Sequence, residues 1–478
     1  MLFPTLTFGL FFLALFAVAW GARRDNEWRK ILLLAASWIF YGAWDWRFVA
    51  LLIGSAVVNW FLAREIDRSA QIQPENTRRK KALVAVGVVA NLAVLGTFKY
   101  CGFFLAQVSE TMHALGWQRD FPVLQIVLPV GISFFTFQGM SYLIDIYRGK
   151  TTPAKLLDVT LLMSFFAHLV AGPIVRASDL IPQFQATPKL TREGAATGFL
   201  LIAWGLFKKA VIASQLATGF VDGVFFDPAS HAAPDLLAAM YGYAVQIYCD
   251  FSAYSDMAIG LAALLGYQFP RNFDQPYRAA SLQDFWRRWH ISLSSWLRDY
   301  LYISLGGNRG GLWKACRNLM ITMLLGGLWH GASWTFVIWG AMHGTVLAIE
   351  RLWREFKPKA WPSLPQWMGV VITFHIVCVA WIFFRSESFP AAIAYLRGMT
   401  EWDAAPAVAS ALTVTPLAVA LILIGLSTQA LPPRLVEGAG ARLAKMPAIG
   451  FALSLGVVMV MVEALRPAGV APFIYYQF

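Results

Sequence analysis

The sequence predicts an all-α, polytopic integral membrane protein, one domain over residues 1–478, with roughly eleven to thirteen membrane helices or re-entrant segments. Three observations point there. Of the 478 residues, 58% are hydrophobic and only 14% are charged, against roughly a quarter charged in a soluble globular chain. Apolar runs suited to crossing a bilayer recur along the whole length, with no soluble domain inserted between them. The net charge of +12 is carried in short loops between those runs, which is the positive-inside pattern.

The first run, MLFPTLTFGLFFLALFAVAW, has no basic region before it and is followed by Arg23. A secretory signal has the reverse order, so this run is read as the first span with its N-terminus outside. Further runs fall near residues 31–62, 82–98, 122–146, 156–175, 196–221, 236–266, 318–348, 367–384, 411–430 and 447–464. The 31–62 run is expected to break around Tyr41–Trp46, and the 318–348 run holds two helices or a broken one. Backbone N–H and C=O groups in lipid need internal partners, so the spans are expected to be helices. Pro129-Val130-Gly131 and Gly172-Pro173 mark kinks or breaks, and irregular backbone at that depth is buried in protein or lines a cavity.

Basic clusters set the sidedness. Arg23-Arg24, Arg78-Arg79-Lys80-Lys81 and Arg287-Arg288 place loops 21–30, 64–81 and 267–317 in the cytoplasm, and Arg351, Arg354, Lys357 and Lys359 form a further group. The same charge on a soluble fold would suggest nucleic acid, but no nucleic-acid-binding motif accompanies it. Cys101, Cys249, Cys316 and Cys378 lie far apart, each in or beside an apolar run and none in a CxxC pair. They read as small apolar filler rather than a disulfide or zinc framework.

Residues 281–304, SLQDFWRRWHISLSSWLRDYLYIS, read as one amphipathic helix at the cytoplasmic interface. Leu282, Phe285, Trp286, Trp289, Leu293, Trp296, Leu297 and Tyr300 recur at three- and four-residue steps, and Ser281 with Asp284 resembles an N-terminal capping pair. His290 falls on the apolar side, where a histidine bonded to a buried carbonyl is the plainer reading. LGGNRGG at 305–311 lacks the Gly-Lys-Ser/Thr ending of a P-loop and reads as a turn.

Next, NLMITMLLGGLWHGASWTFVIWGAMHG (318–344) carries His330 and His343 inside an apolar segment. An ionisable group at membrane depth is costly and marks a functional site by default. His330 is flanked by Gly326-Gly327 and Gly331, which allow close approach of backbone or substrate. His343 lies about 220° further round an ideal helix, so the two share a face only if the helix breaks; a structural role is expected for it. His290, His330 and His343 have neither metalloprotease spacing nor a neighbouring acidic ligand, and no GxSxG elbow is present.

The runs FWRRWHISLSSWLRDYLYISLGGNR and NLMITMLLGGLWHGASWTFVIWG together resemble the membrane-bound O-acyltransferase family, most closely its alginate O-acetylation branch. Residues 128–149, 162–184, 248–277 and the terminal FIYYQF extend the resemblance over nearly the whole chain. It implies helices around a central tunnel, with the donor entering from the cytoplasm and the acceptor from the other side. It also implies that His330 is the catalytic residue and His290 the second polar residue upstream.

The chemistry fits that implication. Acyl transfer from a thioester to a hydroxyl needs a base near neutrality, and a buried neutral imidazole suits this role. His330 is expected to take the hydroxyl proton, while His290 orients the thioester or stabilises the oxyanion. Arg287, Arg288 and Arg309, with Trp289, are the expected donor-binding residues, the arginines facing coenzyme A phosphates; anchoring at the membrane surface is the alternative for them. No bound cofactor or metal is expected, and acetyl-CoA or another acyl thioester is the donor substrate.

The expected setting is the bacterial inner membrane, in contact with membrane lipid and with a polysaccharide synthesis and export complex. The resemblance also implies a periplasmic partner of the serine-esterase type that places the acetyl group on sugar. Two alternatives stand beside this reading: D-alanyl or other acyl transfer to a cell-envelope polymer, and a non-enzymatic transporter, for which broken helices and buried polar groups would also serve.

Overall fold

The structure is a computed structural model that describes residues 3–21, 25–72, 77–117, 126–358, 360, 364–402, 414–431, 433–467 and 471–473. Arg23, Arg24, Lys359, residues 474–478 of the terminal FIYYQF, and parts of the predicted runs at 122–146 and 411–430 lie outside the described residues. Among the described residues the secondary structure is helical throughout, without strands. The chain divides into two compact units, residues 1–190 with 262–270, and residues 191–261 with 271–478.

Four described helices are long and apolar enough to cross a membrane: Arg47–Ile72, Thr77–Lys99, Arg192–Phe226 and Gln366–Arg385. Leu6–Gly21, Pro416–Ala430 and Ile449–Leu465 are apolar but shorter. Length and composition thus account for a multi-pass membrane protein with fewer clear spans than the eleven to thirteen segments expected from the apolar runs.

The first unit holds α1 (Leu6–Gly21), α2 (Asn26–Asp45), α3 (Arg47–Ile72), α4 (Thr77–Lys99), α5 (Cys101–Ala114), α6 (Ile132–Tyr147), α7 (Leu156–Ser164), α8 (Phe166–Leu169) and α9 (Ala177–Gln185). The expected interruption of the 31–62 run falls at Trp46, between α2 and α3. The expected break at Pro129-Val130-Gly131 is the start of α6. There Gly131 takes φ 77°, and a Cβ would collide with the Leu169 carbonyl oxygen.

Polar side chains buried in this unit are tied to one another. Lys30 Nζ bonds Asp158 Oδ1 at 2.7 Å and Glu27 Oε1 at 2.8 Å. The Arg29 guanidinium donates to the Leu265 carbonyl at 2.5 Å and lies over the Trp20 ring. Asn59 on α3 and Asn91 on α4 exchange amide bonds at 3.2 and 2.9 Å, the kind of polar glue that joins membrane helices.

The second unit begins with α10 (Arg192–Phe226), which passes through π-helical turns at Phe207–Ala213 and Ala217–Val221. The first π turn carries Lys208 and Lys209, buried and paired with Asp256 at 2.7 Å and Asp250 at 2.8 Å. Both carboxylates belong to α11 (Ala233–Leu264). Then follow α12 (Leu282–Arg288), α13 (Ile291–Trp296), a π turn at Leu297–Tyr302, α14 (Leu312–His330), α15 (Trp334–Phe356), α16 (Gln366–Arg385), α17 (Phe389–Gly398), α18 (Pro416–Ser427), α19 (Pro433–Lys445) and α20 (Ala448–Leu465).

The 318–348 run is two helices, α14 and α15, with the break at Gly331. They form a tight antiparallel hairpin. A Cβ on Gly327 would collide with the Phe336 carbonyl oxygen, and one on Gly340 with the Met323 carbonyl oxygen. Only glycine lets the two backbones come this close.

Candidate active site

Residues 281–304 do not form the single amphipathic helix expected from their periodicity. Ser281 does cap α12, its Oγ accepting the Asp284 N–H at 3.1 Å. The helix then stops after Arg288. Trp289 is extended, and His290 adopts a left-handed backbone (φ 44°, ψ 55°) before α13 begins. A non-glycine residue in that region costs on the order of 1–3 kcal/mol and persists only where its surroundings enforce it.

Here the enforcing group is Asn272. Its carbonyl oxygen accepts the Ile291 N–H at 2.9 Å, and its Oδ1 accepts the Ser292 N–H at 3.2 Å and the Ser292 hydroxyl at 2.9 Å. These bonds satisfy first-turn donors of α13 that an uninterrupted helix would have bonded within itself. Periodicity could not reveal the break, because the apolar pattern continues through it.

His290 is fully buried. Its ring meets Phe251 edge-on at 4.6 Å and lies 6.1 Å from the Trp329 ring. Its Nδ1 is 3.2 Å from Asn272 Oδ1, and the Asn272 amide nitrogen donates to Ser255 Oγ at 3.0 Å. Among the described residues, Nε2 of His290 has no hydrogen-bond partner.

His330 is the last residue of α14, at the tip of the hairpin, and is also buried. Its ring is enclosed by Trp329 at 5.0 Å, Trp339 at 5.0 Å and Phe384 at 5.2 Å. Trp329 therefore lies against both His290 and His330. The glycines around His330 serve the hairpin: Gly327 admits α15, and Gly331 faces the Phe336 ring so closely that a Cβ would overlap it.

The break in the 318–348 run also brings His343 near. Its ring is 4.6 Å from Trp339, and the Trp286 indole N–H donates to its Nδ1 at 3.3 Å. Three buried histidines are thus strung along Trp329 and Trp339.

The four expected donor-binding residues separate. Trp289 is core, stacked on Phe285 at 5.6 Å and tilted against Trp381 at 5.0 Å. Arg288 is held by Asp284 at 3.0 Å and by the Asp274 carbonyl at 3.3 Å. Arg287 and Arg309 are exposed.

Asn272 is the residue that the sequence reading passed over. It stands in the stretch PRNFDQPY, whose single visible signal is a polar residue between aromatic and proline positions. Nothing in that stretch announces a partner eighteen residues later.

Residues 147–389 match the profile of the membrane-bound O-acyltransferase family. The probable alginate O-acetylase AlgI of Azotobacter vinelandii is 38% identical over 514 residues that span all of both chains. The peptidoglycan O-acetyltransferase of Helicobacter pylori is 39% identical over 77% of this chain and 73% of its own length. The teichoic acid D-alanyltransferase of Bacillus subtilis is 28% identical over 61% of this chain and 79% of its own length. The chain belongs to the membrane-bound O-acyltransferase family and is a multi-pass membrane acyltransferase.

Proposed function

With that membership as premise, we propose that the chain moves an acetyl group from acetyl-CoA on the cytoplasmic side of the inner membrane towards O-acetylation of an extracytoplasmic polysaccharide, alginate or a similar polymer. The observation that carries the chemistry is the burial of His330 at a helix break, inside a shell of Trp329, Trp339 and Phe384 and sharing Trp329 with His290. Irregular backbone inside a membrane protein is buried in protein or lines a cavity, and we place the proposed central tunnel at this point.

In the proposed reaction the acceptor hydroxyl attacks the thioester carbonyl carbon while His330 takes its proton. The tetrahedral intermediate collapses as the C–S bond breaks, and the thiolate leaves with the proton from the imidazolium. An ester and free coenzyme A result. The aromatic shell keeps water from competing for the thioester. Arg287 and Arg309, both exposed, are the available partners for the donor's phosphates. Arg288 is already committed to Asp284.

The names of the relatives at 38% and 39% identity concern acetyl transfer, whereas that of the relative at 28% concerns D-alanine. This gradient favours acetyl over D-alanyl as the group carried. A periplasmic serine-esterase-like partner is proposed for the final placement on sugar, because a polymer is too bulky to reach a residue as enclosed as His330.

The test is acetyl transfer from labelled acetyl-CoA by the purified protein in lipid, together with polymer acetyl content in cells. His330→Ala should lower the rate by about 10²–10⁴-fold, the usual contribution of a positioned base, at unchanged membrane abundance. Near-wild-type acetylation by that variant would overturn the mechanism.

A further inference from the structure

We infer that Asn272 is a positioning residue that fixes which nitrogen of His290 carries the proton, and thereby makes His290 a hydrogen-bond acceptor towards the substrates. The inference rests on the proposed site, since it concerns the second histidine of that site.

The Ser292 backbone N–H can only donate, and it points at a side-chain atom of Asn272 3.2 Å away. That atom is therefore the amide oxygen, Oδ1. The opposite end of the amide agrees, because the nitrogen donates to Ser255 Oγ at 3.0 Å. An amide oxygen only accepts, so the His290 Nδ1 facing it at 3.2 Å carries the hydrogen. The Ser292 hydroxyl, 3.5 Å from Nδ1, offers no competing donor, because it gives its own proton to the same Oδ1 at 2.9 Å.

A neutral imidazole has one N–H. With that hydrogen on Nδ1, Nε2 presents a lone pair. Nε2 is buried and has no partner among the described residues, while the ring is held by Phe251 at 4.6 Å and the backbone by its left-handed turn. A buried polar atom left without a partner carries an uncompensated desolvation cost. A site that binds a ligand there regains that energy when the ligand arrives.

The consequence changes the chemistry expected of His290. A lone pair cannot stabilise an oxyanion or hold a thioester carbonyl, because both of those need a donor. Nε2 instead accepts an N–H or O–H from a substrate. The donor proposed here offers such groups in the amide N–H bonds of its pantetheine arm, close to the thioester sulfur. His290 then orients the donor through that arm, and Asn272 acts through His290.

Two measurements test this on the full-length protein in lipid. The first is nitrogen NMR of histidine-labelled wild type, with the His290 signals identified by their loss in His290→Gln. It should show a protonated Nδ1 and an unprotonated Nε2; a protonated Nε2 would overturn the inference with no other variant needed. This readout stands whether or not the protein uses acetyl-CoA, so its failure is distinguishable from failure of the proposed function.

The second compares Asn272→Leu with Asn272→Asp. Leucine removes the acceptor, and transfer should fall on the order of 10–100-fold, as when an orienting partner of a histidine is lost, with the Nε2–H form appearing in the spectrum. Aspartate keeps an acceptor towards Ser292 and His290, and the Ser255 hydroxyl can turn to donate to its other oxygen. It should retain the wild-type tautomer and most of the rate. Equal loss in both variants with the wild-type tautomer intact would reduce Asn272 to a packing residue and overturn the proposal.

Discussion

Each of the two units contains a buried asparagine cluster, and the clusters differ in one respect. Asn59 and Asn91 form a closed circuit: each amide donates to the other's oxygen, and each also donates to a backbone carbonyl four residues earlier, Ser55 at 2.9 Å and Gly87 at 2.8 Å. Gly139 presses on the pair, so that a Cβ there would lie 2.6 Å from Asn59 Nδ2. The Asn272 cluster gathers Ser255, Ser292 and His290 but ends in an open atom, His290 Nε2.

The side-chain chemistry of the asparagines in the two clusters is identical; what differs is where the chain of hydrogen bonds ends. A circuit that closes on itself removes a desolvation cost and stabilises packing. One that ends in a buried, unpartnered nitrogen keeps that cost in the free protein, which is expected where a substrate completes it.

The two clusters are expected to respond differently to mutation. The largest effect is expected at the open end. His290→Ala should lower acetyl transfer by about 10²-fold, the penalty of a donor misplaced by about an ångström, with membrane abundance unchanged. A variant that transfers at the wild-type rate would mean that the open nitrogen faces no substrate. At the closed cluster the signs reverse. Asn91→Ala strands the Asn59 amide and should lower stability in detergent by about 1–3 kcal/mol, read as a fall in melting temperature, with the rate per folded molecule unchanged. A rate loss without a stability loss would place the Asn59–Asn91 pair in the working machinery.

The smallest effect is expected at the exposed charges. Arg309→Ala should raise the KM for acetyl-CoA by no more than about fivefold with kcat unchanged, since an exposed ion pair contributes about 0.2–1 kcal/mol. The difference should vanish in high salt. A KM insensitive to both mutation and salt would leave Arg309 with membrane anchoring alone.

The class of the protein is legible in its residues alone. Its excess of apolar residues, the spacing of its runs and the loop positions of its basic residues require membrane helices, because lipid offers the backbone no hydrogen-bond partner. The sequence also marked His330, an ionisable group inside an apolar run, while His290 stands out only through the family resemblance. It located the interruptions at Trp46 and within 318–348, where glycine or short polar breaks show locally.

How the histidines relate depends on contacts made in the folded chain. Helical periodicity set His343 on a different face from His330, and the hairpin at Gly331 folded His330 onto Trp339, which neighbours His343 one turn along α15. Periodicity also carried one helix through His290, where the chain breaks because Asn272 supplies the acceptors that the first turn of α13 needs. The same contact selects the proton-bearing nitrogen of His290. Periodicity reports only which side of a helix is apolar. A break stabilised by an asparagine on another segment, and a tautomer set by that asparagine's oxygen, depend on contacts that exist only once the chain has folded.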